Sequence, residues 1–336
     1  MSLTFIDLFA GIGGFRLGME QAGHKCLGYV EWDKFARKSY EAIHNTKGEW
    51  TAHDITTVTN DDLRLLRGQV DVICGGFPCQ AFSIAGKRLG FAETRGTLFF
   101  EIARLAKEIQ PRYLFLENVR GLLSHDQGRT FATILSALDE LGYDAEWQVL
   151  NSKDFGVPQN RERVFIIGHS RRHSRREIFP IRRNNKEINN VQGQQIYANT
   201  LTTRYTALGT GSYILERKQH EEGIGPQVLV REATKQGYAI AEVGDSINYS
   251  VPNSKTRRGR VGKGIAQTLD TACNQATLLR DYRIRRLTPK ECWRLQGFPD
   301  WAFEKARKVN SDAQLYKQAG NSVTVPVIYE IAKRLV

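Results

Sequence analysis

The 336-residue chain is poor in cysteine, and what cysteine it has is unpaired in pattern. Cys26, Cys74, Cys79, Cys273 and Cys292 are odd in number, scattered, and form no C-x-x-C motif. That excludes a disulfide framework and a zinc ribbon; it predicts no metal and a reducing, cytoplasmic setting. Long apolar runs are also missing. No stretch approaches the ~18 uninterrupted apolar residues of a membrane span, so no membrane partner is expected. The chain opens on a strand-like run, Leu3 to Phe9, and no signal peptide is expected. Internal repeats and low-complexity tracts are absent. Acids are scarce in two stretches. Residues 171–186 hold seven Lys/Arg against Glu177, and residues 251–290 hold ten against Asp270 and Asp281. These stretches carry +6 and +8 of a net charge of +12, which leaves −2 for the rest. A basic half beside a neutral half points to a polyanion partner, or to a solvated basic surface.

A hydrophobic content of 41% supports a sizeable core. The first ~170 residues alternate strand-like and helix-like segments. Strands are predicted at 3–8, 26–30, 70–74, 112–117, 144–150 and 163–168, and helices at 14–22, 33–44, 97–109 and 129–141. This rhythm predicts an α/β fold with a parallel sheet covered on both faces, and antiparallel members among the later edge strands. From about 171 the rhythm stops. Residues 190–283 read as a loop-rich module with short strand-like pieces at 238–243 and 267–269. Helical patterning returns at Thr288 to Leu295, with Thr288 as N-cap and Pro289 at the first helical position. The amphipathic segment from Val325 to Leu335 is expected to return to the first domain. The predicted division is 1–189 plus 312–336, a module at 190–283, and a hinge at 284–311.

Asp7 to Phe15 follows the first strand and precedes a helix. Its glycines, Gly11, Gly13 and Gly14, permit a ligand to approach the backbone. A dinucleotide fingerprint needs a third glycine where Arg16 stands. Glu31 ends the second strand, where an acid commonly bonds ribose hydroxyls. Asp54, before Ile55, is placed to reach an adenine edge after a third strand. Such a loop with two acids suits a nucleoside cofactor lacking a pyrophosphate, and S-adenosyl-L-methionine fits; the alternative is an ordinary βα turn. The nine residues from Gly75 to Ser83, GGFPCQAFS, follow a buried apolar run. Pro78 fixes the backbone before Cys79, which reads as a loop-edge nucleophile or a buried structural thiol. Glu117 ends another apolar strand. A carboxylate there is functional or salt-bridged, and Arg161 and Arg163 permit the second reading.

Taken in order, Asp7–Phe15, Glu31-Trp32, Asp54-Ile55, Gly75–Ser83, Glu117–Val119, Gln159–Gly168, Arg286–Pro299 and Gln318–Val325 resemble the bacterial restriction–modification DNA cytosine-5 methyltransferases. The resemblance covers nearly the whole chain. It implies a Rossmann-like S-adenosylmethionine-dependent methyltransferase domain with a smaller target-recognition domain, acting on double-stranded DNA as a monomer. S-adenosyl-L-homocysteine would be the product, and a cognate restriction endonuclease a possible functional partner. The host would be bacterial or a phage, with the enzyme associated with the nucleoid. Cys79 would attack cytosine C6, Glu117 would protonate N3, Arg163 would hold O2, and Arg161 would brace the site near Cys79. Phe9, Gly11, Gly13, Gly14, Glu31, Trp32, Asp54, Ile55, Leu98, Asn321, Ser322 and Val323 would line the cofactor pocket. The loop from Gln80 to Thr97 would be a lid, with Gln80, Ser83 and Arg95 gripping DNA around a flipped nucleotide.

Residues 253–264 combine five cations with three glycines. Arg257, Arg258, Arg260 and Lys263 are expected to meet phosphates or guanine edges, and most such cations only position the backbone. Thr268-Leu269 matches a Thr-Leu pair in the family's recognition modules. Asn274 and Gln275 lie in a second polar loop expected at the major groove. Rival readings are an RNA cytosine methyltransferase, a non-enzymatic DNA-binding relative and a nicotinamide oxidoreductase. Intact Cys79, Glu117 and Arg163 count against the second, and Arg16 against the third.

Overall fold

The computed structural model describes residues 2–78, 98–174, 176–181, 214–218 (backbone alone), 227–251, 254, 256–281 and 283–336. Elements in the first half are β1 (Thr4–Leu8), α1 (Gly14–Gln21), β2 (Lys25–Val30), α2 (Lys34–Ile43), β3 (Trp50–Ala52), α3 (Asn60–Leu65) and β4 (Val72–Gly76). They continue with α4 (Leu98–Ile109), β5 (Tyr113–Val119), α5 (Arg129–Glu140), β6 (Tyr143–Asn151), β7 (Gln159–Asn160) and β8 (Glu162–Ser170). The second half comprises β9 (Ile214–Lys218), β10 (Gln227–Arg231), β11 (Tyr238–Glu242), β12 (Ser246–Asn248), β13 (Val261–Gly262), β14 (Ala266–Gln267), β15 (Gln275–Leu278) and β16 (Ile284–Arg286). Four helices close the chain: α6 (Pro289–Leu295), α7 (Asp300–Ala306), α8 (Asp312–Asn321) and α9 (Val325–Ala332).

Seven strands form one sheet in the order β3-β2-β1-β4-β5-β8-β6. The pairs from β3 through β5 are parallel, and β8 runs antiparallel to both β5 and β6. The antiparallel strand is thus next to the edge rather than at it. The chain leaves β1 for β2 on one side and returns to β4 on the other. That reversal opens a crevice at the carboxyl ends of β1 and β4, where α/β sheets bind ligands.

Side chains alternate across the strands, so successive residues feed two cores. Ile6, Ile73, Leu114 and Ile166 face one layer with α4 and α5. Phe5, Val72, Phe115 and Ile167 face the other, with α1 and α9. Phe15 of α1 meets Phe115 edge-to-face with centroids 5.0 Å apart, a geometry that adds ~0.5–1.5 kcal/mol beyond its area. The final helix returns to the first domain in this second core. A third core joins Ile12 and Leu17 to Leu269, Trp293, Phe303, Leu315 and Val325. It draws on the glycine loop, the basic module and the closing helices together. Thr288 caps α6 through a capping box with Glu291, with proline in its first turn.

Candidate active site

The glycine loop is built under strain. Phe9 takes φ 53° and Gly11 φ 57°; a bulky aromatic at positive φ persists only where its surroundings hold it, commonly at a ligand site. One hold is visible. The Gly11 N–H donates to Glu31 Oε2 at 2.7 Å, and the Asp33 N–H to Oε1 at 2.7 Å. Burial raises the Glu31 carboxyl above its ordinary range, and these two N–H bonds oppose that rise. Each carboxylate oxygen retains a lone pair. Trp32 beside it is 74% exposed, while Arg37 fixes the turn by donating to the Glu31 and Trp32 carbonyls. Asp54 caps the turn before buried Ile55, accepting from the Thr56 N–H and hydroxyl.

Arg16, standing where the dinucleotide fingerprint has a glycine, turns away from the loop. It bonds both Glu49 oxygens, at 2.8 and 2.7 Å, and Glu20 at 2.8 Å. Asp7 is fully buried behind the loop, and burial pushes its carboxyl well above the usual range.

The Ser322-Val323 segment closes this loop from the other side. A Cβ on Gly14 would lie 2.7 Å from Val323 Cγ2 and 3.0 Å from Ser322 Oγ. Asn321 beside it is exposed, and Leu98 at the start of α4 is half-buried. A Cβ on Gly76 would lie 3.8 Å from Val323 Cγ1 and 2.9 Å from Glu117 Oε2. Gly76 therefore stands between the loop segment and the carboxylate, two residues before exposed Pro78. Parallel pairing of Gly76 with Glu117 sets that approach.

Glu117 Oε1 lies 3.0 Å from Arg163 Nε, and the Arg163 Nη1 donates to the Glu162 carbonyl at 2.7 Å. Burial raises the Glu117 carboxyl above its ordinary 4.5, against the lowering charges of Arg163 and Arg161. Arg161 is 3% exposed. Its guanidinium donates to the carbonyls of Ser322 at 2.7 Å, Gly320 at 3.3 Å and Leu269 at 3.5 Å. Burial and the Arg163 charge pull it down from its usual range, and Glu117 opposes them. The bracing expected of Arg161 is thus directed to the loop-closing segment and the basic module. Cys79, Gln80, Ser83 and Arg95, with the rest of the expected lid, lie outside the described residues.

Two side chains that lie within the motifs but were assigned no role organise this region. Asn118, 2% exposed, donates to the Phe77 carbonyl at 2.9 Å and accepts from the Val119 N–H at 2.8 Å. It ties the β5 end to the residue before Pro78. Gln159 is fully buried; it donates to the Leu295 carbonyl at 2.8 Å and accepts from the Leu269 N–H at 3.1 Å. Its signal in the sequence was its place at the head of the QNRER run.

The basic module differs most from expectation. Arg260 is fully buried and donates to the carbonyls of Asn248, Ser250 and Val251 at 3.2, 3.0 and 2.7 Å. It holds a loop and presents no charge to DNA. Lys263 lies 3.0 Å from Glu242 and 2.9 Å from Asp245, so its charge is matched within the module. Gln275 is 1% exposed and does not reach a groove from there. Asn274 is bonded to Asp270 through both its backbone and side-chain N–H groups. Thr268 donates to the Asn160 carbonyl at 2.7 Å and helps join β14 to β7. Arg258 is exposed, with Nε on the Ala233 carbonyl, and Arg257 is half-buried.

Among the described residues, no group of three or more His, Cys, Asp or Glu could hold a metal ion. No helix there is long and apolar enough to cross a membrane.

A doubly wound sheet with a glycine loop, a glutamate at the end of β2 and a Glu–Arg pair at the carboxyl ends of β4 and β5 defines a class, the Rossmann-like methyltransferases. The sequence profile described as C-5 cytosine-specific DNA methylase matches residues 3–336, and the chain belongs to that family. It is similar to the Type II methyltransferase M.HpaII of Haemophilus parainfluenzae, 39% identical over 341 residues, covering 99% of this chain and 88% of the relative. It is also similar to the Type II methyltransferase M.HhaI of Haemophilus parahaemolyticus, 35% identical over 339 residues, covering 98% and 93%. In fold it matches a putative DNA modification methyltransferase encoded within an E. coli prophage, with TM-score 0.64 and 23% identity over 99% of this chain and 98% of that one. The S. pombe Dnmt2 methyltransferase matches with TM-score 0.59 and 17% identity over 100% and 98%. The chain is a DNA cytosine-5-methyltransferase.

Proposed function

We propose that this chain flips a cytosine from a short duplex site and activates it through a covalent bond from Cys79 to C6. The supporting observation is the buried Glu117 carboxyl, 3.0 Å from Arg163 and pressed against Gly76 at the strand end leading to Pro78-Cys79. Cytosine C5 is a poor nucleophile. Addition of the Cys79 thiolate to C6 removes the ring's aromaticity and gives C5 enamine character. A carboxyl whose pKa burial has raised holds its proton nearer neutral pH and passes it to N3, so negative charge does not accumulate on the ring. Arg163, already on Glu117, is placed to bond the neighbouring O2. Loss of the C5 proton to a base then releases the Cys79 sulfur. Attack on a ring face requires the base to leave the stack, at roughly a few kcal/mol.

The glycine loop fits S-adenosylmethionine. Glu31 keeps lone pairs for ribose hydroxyls, Trp32 offers an exposed ring face, Asp54 lies at the adenine end, and Phe9, Leu98 and Asn321 to Val323 enclose the remainder. When bound, that cofactor supplies an electrophilic methyl group. Residues 1–189 and 312–336 would form the catalytic part, 190–283 the target reader and 284–311 the hinge. Arg257 and Arg258 remain as candidate DNA contacts in the described part of the reader. Bisulfite sequencing of DNA from cells expressing the chain tests this function. Cytosines methylated within one short sequence are expected; unmodified DNA at full expression of folded protein would refute it.

A further inference from the structure

Ser152, Thr324 and Gln296 are 3%, 3% and 0% exposed and come from three separate parts of the chain. Ser152 follows β6, Thr324 precedes α9, and Gln296 follows α6. Their polar groups meet in sequence. Thr324 Oγ1 lies 2.8 Å from Ser152 Oγ and 3.0 Å from Gln296 Oε1, and Gln296 Nε2 donates to the Ala319 carbonyl at 2.8 Å.

The chemistry orders the protons. The Ala319 carbonyl only accepts, so the amide nitrogen of Gln296 must face it and the amide oxygen must face Thr324. That oxygen also only accepts, so the Thr324 hydroxyl proton points to Gln296. Thr324 then has only lone pairs to offer Ser152, whose one hydroxyl proton faces Thr324 Oγ1 at 2.8 Å in preference to its other acceptor, the Arg161 carbonyl at 3.3 Å. The result is one directed chain, Ser152 to Thr324 to Gln296 to Ala319.

This chain borders the Ser322-Val323 segment at both ends. Ala319 lies in α8 just before it and Thr324 just after it. From a third side Arg161 donates to the Ser322 carbonyl at 2.7 Å. There is no slack toward the glycine loop, where a Cβ on Gly14 would sit 2.7 Å from Val323 Cγ2. A displacement of the segment therefore reaches the loop directly. None of the three side chains is among the groups expected to touch cofactor or base.

We propose that Ser152, Thr324 and Gln296 are positioning residues that hold Ser322-Val323 against the glycine loop and thereby set cofactor affinity. This rests on the assignment of that segment to the cofactor pocket. Thr324→Val keeps the shape and leaves Ser152 and Gln296 facing a methyl group. By calorimetry its Kd for S-adenosylhomocysteine should rise about tenfold, or ~1.4 kcal/mol. With cofactor saturating, its kcat should stay within about twofold of wild type, because the Glu117–Arg163 pair is untouched. Thr324→Ser restores the hydroxyl and should restore affinity, which packing alone would not do.

Ser152→Ala leaves the Thr324–Gln296 bond and should weaken binding by roughly threefold. It decides the matter alone if Thr324→Val does not fold. Folded Thr324→Val or Ser152→Ala protein with wild-type affinity overturns the proposal, as does failure of Thr324→Ser to recover. If the wild-type protein itself binds no S-adenosylhomocysteine, the pocket assignment fails, and the positioning role fails with it.

Discussion

Gly76→Ala tests whether the Glu117 carboxyl, proposed as the proton donor, is held in one place by packing. The new methyl carbon would lie 2.9 Å from Glu117 Oε2, where ordinary contact begins near 3.4 Å. About 0.5 Å must be found. The backbone supplies no reason for strain, since Gly76 is not among the positive-φ glycines, and alanine in a strand is tolerated at least as well as glycine. The next neighbour, Val323 Cγ1 at 3.8 Å, is at an ordinary distance. Glu117 must therefore swing, and in doing so it strains its 3.0 Å contact with Arg163. Misplacement by 1 Å costs up to ~100-fold in rate, so half of that predicts about tenfold, or ~1.4 kcal/mol of barrier. Single-turnover transfer of a tritiated methyl group to unmethylated duplex measures it, alongside thermal denaturation and S-adenosylhomocysteine calorimetry. The expected result is a tenfold slower step with unchanged Tm and cofactor affinity. A wild-type rate, or a slow rate explained by a collapsed Tm, would refute the reasoning.

Glu117 also carries a pH signature. Its folded pKa lies above the ordinary 4.5, so the stability it contributes is fully present below the unfolded value and is lost as pH rises through the folded one. Glu117→Gln, permanently neutral, should lack that decline in denaturant titrations and should slow methyl transfer; a wild-type pH–stability curve from the Gln protein would contradict the assignment. Arg260→Met should lower stability by ~3 kcal/mol, because a buried side chain gives up its charged bonds to one buried and two part-buried carbonyls. Arg258→Ala should fold normally and weaken DNA binding in a salt-dependent way. Full stability of the Arg260→Met protein combined with lost sequence choice would return Arg260 to the DNA surface.

The first half of the chain was legible in the sequence because its signals are local. A buried parallel strand is a continuous apolar run, and functional groups sit where such runs end, so β1, β2, β4 and β5 located Gly11, Glu31, Gly76 and Glu117. Short or edge elements carry weaker signals. The three-residue β3 was expected only as a strand before Asp54, without bounds, and α3, whose Thr59 cap precedes only six helical residues, escaped notice. The basic module misled for a different reason. Charge counts over 251–290 leave out acids that pair with two of its cations, because Glu242, Asp245 and Glu291 lie just outside those bounds. Glu291 bonds Arg285 at 2.8 and 2.9 Å, and the other two bond Lys263. Arg260 gave no sign of burial, since its partners are backbone carbonyls and no residue type marks them. Asn118, Gln159 and the Ser152–Thr324–Gln296 chain depend on contacts between distant segments, which no spacing along the chain reveals.

The covalent bond from Cys79 to cytosine C6 is tested most directly with a substrate that cannot finish the reaction. Fluorine at C5 cannot leave as a proton, so the step that frees the Cys79 sulfur is blocked. A target duplex carrying 5-fluorocytosine, incubated with the protein and S-adenosylmethionine, should give a denaturation-resistant protein–DNA adduct. Peptide mapping should place the link on Cys79, and Cys79→Ser should bind the same duplex without forming it. A link on Cys74 or Cys273, or full methylation of ordinary target DNA by the Cys79→Ser protein, would contradict the account.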